Sequence, residues 1–199
     1  ETMFMRYRNQ PVGSFGEISC FSTYIAHLLT TGVGGLACTN NLKYAEKIKS
    51  MANHGRDGIY LSIDDDKNLN RQGLLDVVSR RFQFVSLGYS FRATEMEAAL
   101  GVAQLEKKDA ILLARRENAM YLLHGLKKFD HFLQLPWWPK HSNHAFMMFP
   151  LVILERAGFS KSDLVMHLEE NNIETRDMLP LLNQPIYKKI FGNIEDQYP

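Results

Sequence analysis

Short apolar runs broken by glycine and polar residues open the chain, and longer periodic stretches follow. Glu17-Ile18-Ser19-Cys20-Phe21-Ser22, led in by Gly13 and Gly16, reads as a short buried strand. A polar, small-residue loop comes next, with His27 in its middle and Thr30-Thr31-Gly32-Val33-Gly34-Gly35 at its end. Leu36-Ala37-Cys38-Thr39 then restarts a strand. Asn40-Asn41 caps a predicted helix over Leu42–Ala52, on which Leu42, Ala45, Ile48 and Met51 recur three apart. Residues 80–86 alternate as a strand. Thr94 with Glu97 is a capping box, and the helix it opens is expected to bury Met96, Ala99, Leu100 and Ala103 against another helix. Helical character continues over 115–126. Residues 133–138 read as a linker holding two tryptophans, with prolines at 136 and 139. A strand is predicted over 146–154, and Ser160 caps a helix with Asp163 in its first turn, running to Glu170. A short strand at 173–176 and a segment over 180–191 complete the pattern.

Composition narrows the function classes. The 199 residues are 45% hydrophobic and 23% charged, enough for a real core. A net charge of +1 leaves no nucleic-acid or membrane footprint. No run of about 18 apolar residues occurs and no signal-peptide pattern is seen. Cys20 and Cys38 both lie in apolar runs and are predicted to be buried free thiols, which suits a reducing cytoplasm. Asp64-Asp65-Asp66 sits in the polar segment 61–76. It lacks the spacing and following glutamate of a calcium loop, so a solvated loop is expected and no metal site. Two strands flanking a hydroxyl- and glycine-rich loop bring backbone close to a ligand, commonly a phosphate, although glycine-rich loops are also ordinary turns.

Gly13, Gly16, Phe21, Ser22, Thr30, Thr31, Gly32, Gly34, Gly35, Thr39 and Asn40 together resemble the cofactor-lysine segment of the DegT/DnrJ/EryC1/StrS aminotransferases, which are pyridoxal-phosphate-dependent nucleotide-sugar enzymes. The run from Leu87 to Leu105, LGYSFRATEMEAALGVAQL, is close to the family's GYNxRxTExQAALGxAQL, and Arg115 to Asn118 matches its R-x-x-N. The resemblance covers about 160 residues. It implies an α/β fold: the C-terminal part of an aspartate aminotransferase-like large domain over 1–110, then a small α+β domain over 111–199. A mainly parallel sheet with helices on both faces is expected, and a homodimer in which each site borrows residues from the partner. The chain resembles the second half of one such enzyme.

Two positions depart from the family pattern. His27 stands where the family carries the lysine that binds the cofactor covalently, and Val33 replaces the glutamate of GEGG. Imidazole is not a primary amine and cannot make that bond, yet it can accept and return a proton at neutral pH. One branch of the family, the nucleotide-sugar 3-dehydratases acting on 4-keto-6-deoxy sugars, carries this lysine-to-histidine exchange. The resemblance therefore implies pyridoxal or pyridoxamine 5'-phosphate, with His27 as base and Ser22 on the cofactor phosphate. Ser90 takes the place of an asparagine that reaches the partner subunit's cofactor phosphate. Arg56, in the turn His54-Gly55-Arg56-Asp57-Gly58, His144 and Arg176 are the substrate-binding candidates. From the residues alone, that turn also reads as solvated, His144 as a hydrogen-bonded structural histidine and Arg176 as a surface arginine. The partner implied is a nucleotide-activated keto sugar. Three readings follow: a 3-dehydratase, an aminotransferase-family enzyme with altered chemistry, and a non-catalytic cofactor- or sugar-binding homologue, the last motivated by the loss of both lysine and glutamate.

Overall fold

The computed structural model describes residues 2–57, 67–178, 181–194 and 197–198. The aspartates at 64–66 lie outside them. Two compact units divide the chain. The first takes in residues 1–128 and 135–151, the second 129–134 and 152–199. The helix after residue 107 belongs with the first unit.

In the first unit, β1 (Arg6–Tyr7) lies between β2 (Gln10–Pro11) and β6 (Ser142–Asn143) in a small antiparallel sheet. β3 (Ser19–Ser22) pairs antiparallel with β4 (Gly35–Cys38), Ser22 opposite Gly35 and Ser19 opposite Cys38. Every ladder among the described strands is antiparallel, so the expected parallel sheet is not formed within them. A two-stranded ladder buries little of either face. Cys20 and Cys38 are accordingly free but exposed, which corrects the expected burial.

Helix α1 (Leu42–Ala52) starts where its cap predicts, with Asn41 Oδ1 accepting from the backbone of Lys43 and Tyr44. Helix α2 (Arg71–Arg80), capped by Asn70, replaces part of the expected polar loop and the start of the expected strand at 80. Residues 83–91 do not make a strand because their backbone groups are bonded to the 51–57 turn instead. The N–H groups of Val85 and Ser86 donate to the Gly55 carbonyl, Asp57 to Gln83, Tyr89 to Met51 and Phe91 to Ala52.

Helix α3 (Glu95–Glu106) opens on the predicted capping box. The Thr94 hydroxyl and backbone hold the Glu97 carboxyl below the usual carboxylate range. Its apolar face is not covered by the described chain: Met96 is 77% and Leu100 56% exposed, and only Gly101 is buried. A Cβ at Gly101 would come 3.2 Å from Thr31 Cγ2, so α3 presents its bare backbone to the glycine-rich loop. Helix α4 (Lys108–Leu126) follows directly. Leu112 on it packs with Leu28 and Ala145 in the core of the unit, joined by Met3, Phe4, Met5 and Met147.

The second unit pairs β5 (Leu133–Gln134) with β7 (Val152–Ile153) and carries α5 (Lys161–Glu170) and α6 (Pro185–Phe191). Ser160 and Asp163 form a capping box on α5, and Pro185 at the first position starts α6. The strand expected over 146–154 shrinks to Val152–Ile153, because Phe146 has φ +48° and turns the chain. Residues 173–176 are irregular: Thr175 N–H and Oγ1 both donate to Glu169 Oε1 at 2.6 Å, a side chain where a strand would need a neighbouring backbone.

Candidate functional site

The loop between β3 and β4 is closed by a clasp of hydroxyls. Thr23 is buried, and its Oγ1 lies 2.6 Å from Thr31 Oγ1. The Thr31 hydroxyl donates to the Val33 carbonyl at 2.7 Å, so Thr23 is the donor between the two threonines. Backbone bonds from Thr23 N–H to Gly34 O and from Thr31 N–H to Thr23 O complete the closure. Gly34 sits at φ +124°, and a Cβ at Gly35 would stand 2.7 Å from the Phe21 carbonyl, so both positions need glycine. Ser22 ends β3 with its Oγ accepting from Tyr24 N–H at 3.2 Å, which leaves the serine proton to donate elsewhere.

His27 N–H donates to Tyr24 O at 2.9 Å, and Leu28 and Leu29 behind it are both buried. Two leucines sunk in the protein hold the half-buried imidazole at a defined place on the loop. Leu28 packs with Ala145, so the residues that follow His27 and His144 in sequence share one cluster.

His144 follows β6. Its Nδ1 accepts from Phe146 N–H at 2.9 Å, and its ring lies 4.6 Å from that of Phe146 and 6.4 Å from Trp138. Loss of water around the ring pulls its pKa below the ordinary histidine value. Arg116 Nε donates to the His144 carbonyl at 3.1 Å, and Arg115 Nη1 donates to Phe146 O and Met147 O, each at 3.3 Å. The two arginines carried no role in the sequence beyond their motif; the turn they bind comes about 30 residues later.

Arg56 and Ser90 lie on the seam between residues 51–57 and 83–91. Asn53 bridges to Ser90, which is exposed, and Arg56 to Phe84. The Arg56 guanidinium sits 5.1 Å from the centre of the Phe82 ring. Beside it opens a hollow of about 250 Å³ lined by Lys49, Ser50, Ala52, Asn53, Arg56, Asp57 and Arg92. Asp57 is bonded in a two-pronged pair to Arg80, at 3.0 and 2.6 Å. Among the residues that line the hollow, the three cations Lys49, Arg56 and Arg92 outnumber the one carboxylate, Asp57, which suits it to an anion. Lys49 and Arg92 were not singled out in the sequence, since only the fold brings α1 beside the residues before α3. Arg176 is exposed in the second unit, next to Asp177, which pairs with Lys161 at 2.8 Å.

Among solved structures, the chain is similar to the E. coli GDP-4-keto-6-deoxy-D-mannose-3-dehydratase with bound hydrated PLP, with a TM-score of 0.80 at 27% identity. The match covers 96% of this chain and 48% of that one. The fold is therefore the α/β fold of the pyridoxal-phosphate-dependent aminotransferases, of which this chain forms about half. The DegT/DnrJ/EryC1/StrS aminotransferase family model matches residues 1–199, and the chain belongs to that family. Its relatives include the lipopolysaccharide biosynthesis protein RfbH of Salmonella typhimurium, 32% identical over 92% of this chain and 44% of that protein. The dTDP-4-dehydro-2,6-dideoxy-D-glucose 3-dehydratase of Saccharopolyspora spinosa is also 32% identical, over 96% of this chain and 42% of its own length. The chain thus spans under half the length of these curated relatives.

Proposed function

We propose that this chain is part of an enzyme that uses pyridoxal or pyridoxamine 5'-phosphate to remove the 3-hydroxyl of a nucleotide-linked 4-keto-6-deoxy sugar, with His27 as its base. The observation that carries this reading is the imidazole at position 27, on a loop that keeps the family's Thr30, Thr31, Gly32, Gly34 and Gly35 and departs besides only at Val33. It is supported by relatives and a structural neighbour that are themselves 3-dehydratases. The donor set fits the cofactor held without a covalent bond. Ser22 keeps a proton to give to a phosphate, Gly35 allows backbone to approach closely, and no amine is offered at position 27.

In this reading Ser22 and the loop N–H groups hold the cofactor phosphate, and Ser90 donates to the cofactor phosphate of a partner subunit in a homodimer. Lys49, Arg56 and Arg92 take the diphosphate of the nucleotide. His144 contacts the sugar. The cofactor, when bound, supplies an electron sink. His27 takes a proton at one imidazole nitrogen and returns it, while the hydrophobic residues behind it limit its swing. The buffered, reducing cytoplasm is where such an enzyme would work.

The test is made on the full-length protein. His27→Asn should lower sugar turnover by about a hundredfold or more while cofactor binding persists, followed by absorbance. Unchanged turnover would remove His27 from the mechanism. A borohydride-trapped protein–cofactor adduct in the unaltered protein would mean that a lysine is at work after all.

A further inference from the structure

His27 needs a free nitrogen to act as a base. His144, whose turn packs against the His27 loop through Ala145 and Leu28, is built the opposite way. Its Nδ1 is committed to the Phe146 N–H, and a ring nitrogen that accepts carries no proton. The neutral ring therefore carries its hydrogen on Nε2, a group with no hydrogen-bond partner among the described residues.

This arrangement does not come from residues 144–147 alone. Phe146 is at φ +48°, a conformation bulky residues rarely adopt, and something must hold it there. The holding groups are on α4. Arg116 takes the His144 carbonyl, and Arg115 takes those of Phe146 and Met147. These are charge-assisted bonds from neighbouring residues of one rigid helix. With these three carbonyls turned toward α4, the Phe146 N–H is left facing Nδ1. Trp138 and Phe146 then flank the ring, their own centroids 4.9 Å apart and nearly perpendicular.

We propose that Arg115 and Arg116 are positioning residues that lock His144 as its Nε2–H tautomer, making it a fixed hydrogen-bond donor to an oxygen of the sugar. The sugar as ligand rests on the function proposed above; the locking does not. His144 then works as a donor, an assignment set by the bond its Nδ1 already accepts, beside His27 as the base of the proposed reaction.

The deciding experiment is nitrogen NMR of the full-length protein labelled with 15N-histidine, without sugar, near neutral pH. A single Nε2–H tautomer is expected for His144. Arg116→Ala should convert it to a mixture, and Arg116→Lys, which keeps a cationic donor, should restore it. If Arg116→Ala fails to fold, Arg115→Lys and Arg116→Lys are compared with the unaltered protein in its place. An Nδ1–H tautomer or an even mixture in the unaltered protein overturns the proposal. For the donor role, His144→Gln places an amide near Nε2, whereas His144→Asn keeps an acceptor for Phe146 N–H and loses the distal donor. KM for the sugar should rise about tenfold in His144→Asn and much less in His144→Gln, with kcat little changed. Equal KM values in the two variants overturn the donor role. Failure of the dehydration reading appears separately, in His27→Asn, and leaves the tautomer measurement standing.

Discussion

His144 shows how a side chain can gain its chemistry from groups far along the chain. Its Nδ1 accepts from Phe146, two residues on, but nothing near it in sequence indicates that two arginines on α4 will hold that turn. Burial lowers its pKa, and the sign of the effect on stability follows. Between the folded value and the unfolded value near ~6.5, the unfolded chain binds the proton and the folded chain does not. The contribution is therefore complete above the unfolded pKa and is lost as pH falls through the folded one. Thermal unfolding should show a midpoint that drops as pH is lowered from about 7 to about 5, and His144→Gln should flatten that slope. An unchanged slope in the variant would assign the dependence to another group. Ser22 and His27, by contrast, are picked out by the family resemblance, because the residues that carry it there belong to one contiguous loop.

At the scale of elements, the caps were the most readable feature. Asn41, Thr94 and Ser160 each start a helix where local hydrogen bonding says they should. The seam between residues 51–57 and 83–91 was not readable. Its backbone bonds join segments some 30 residues apart, and alternation over 80–86 looks the same whether the partner is a strand or a turn. Two glycines make the seam possible. A Cβ on Gly55 would strike the Ser86 carbonyl, and one on Gly88 would strike the backbone of His54 and Gly55. Gly88→Ala should therefore destabilise the protein by on the order of 3 kcal/mol and weaken anion binding in the Arg56 hollow. Chemical denaturation and titration with inorganic diphosphate check both. A loss of stability below about 0.5 kcal/mol would show that the seam tolerates separation.

For the whole molecule, the exposed apolar surface is the main fact. Leu87 is 95%, Phe91 72%, Met96 77% and Leu100 56% exposed, on α3 and the segment that leads into it. A helix apolar on the side it shows to water is a surface waiting for cover. In the full-length protein we expect a second copy to supply it. Leu100→Asp should shift sedimentation from dimer toward monomer and reduce turnover in parallel, since Ser90 lies exposed in the segment that leads into α3. A monomeric unaltered protein would rule this cover out.

The amino-acid sequence by itself determined the family, the loop with His27 in place of lysine, and the helices whose ends carry their own hydrogen-bonding partners. These are local properties, set by residues within a few positions of one another. Only the tertiary structure decided the rest. It exposed Cys20 and Cys38 on a two-stranded ladder and turned residues 83–91 into one side of a seam. It gathered Lys49, Arg56 and Arg92 around one hollow and put His144 under the control of Arg115 and Arg116. The physical reason is that burial, charge and tautomer depend on what lies across space, and a local pattern carries no information about a partner 30 residues away.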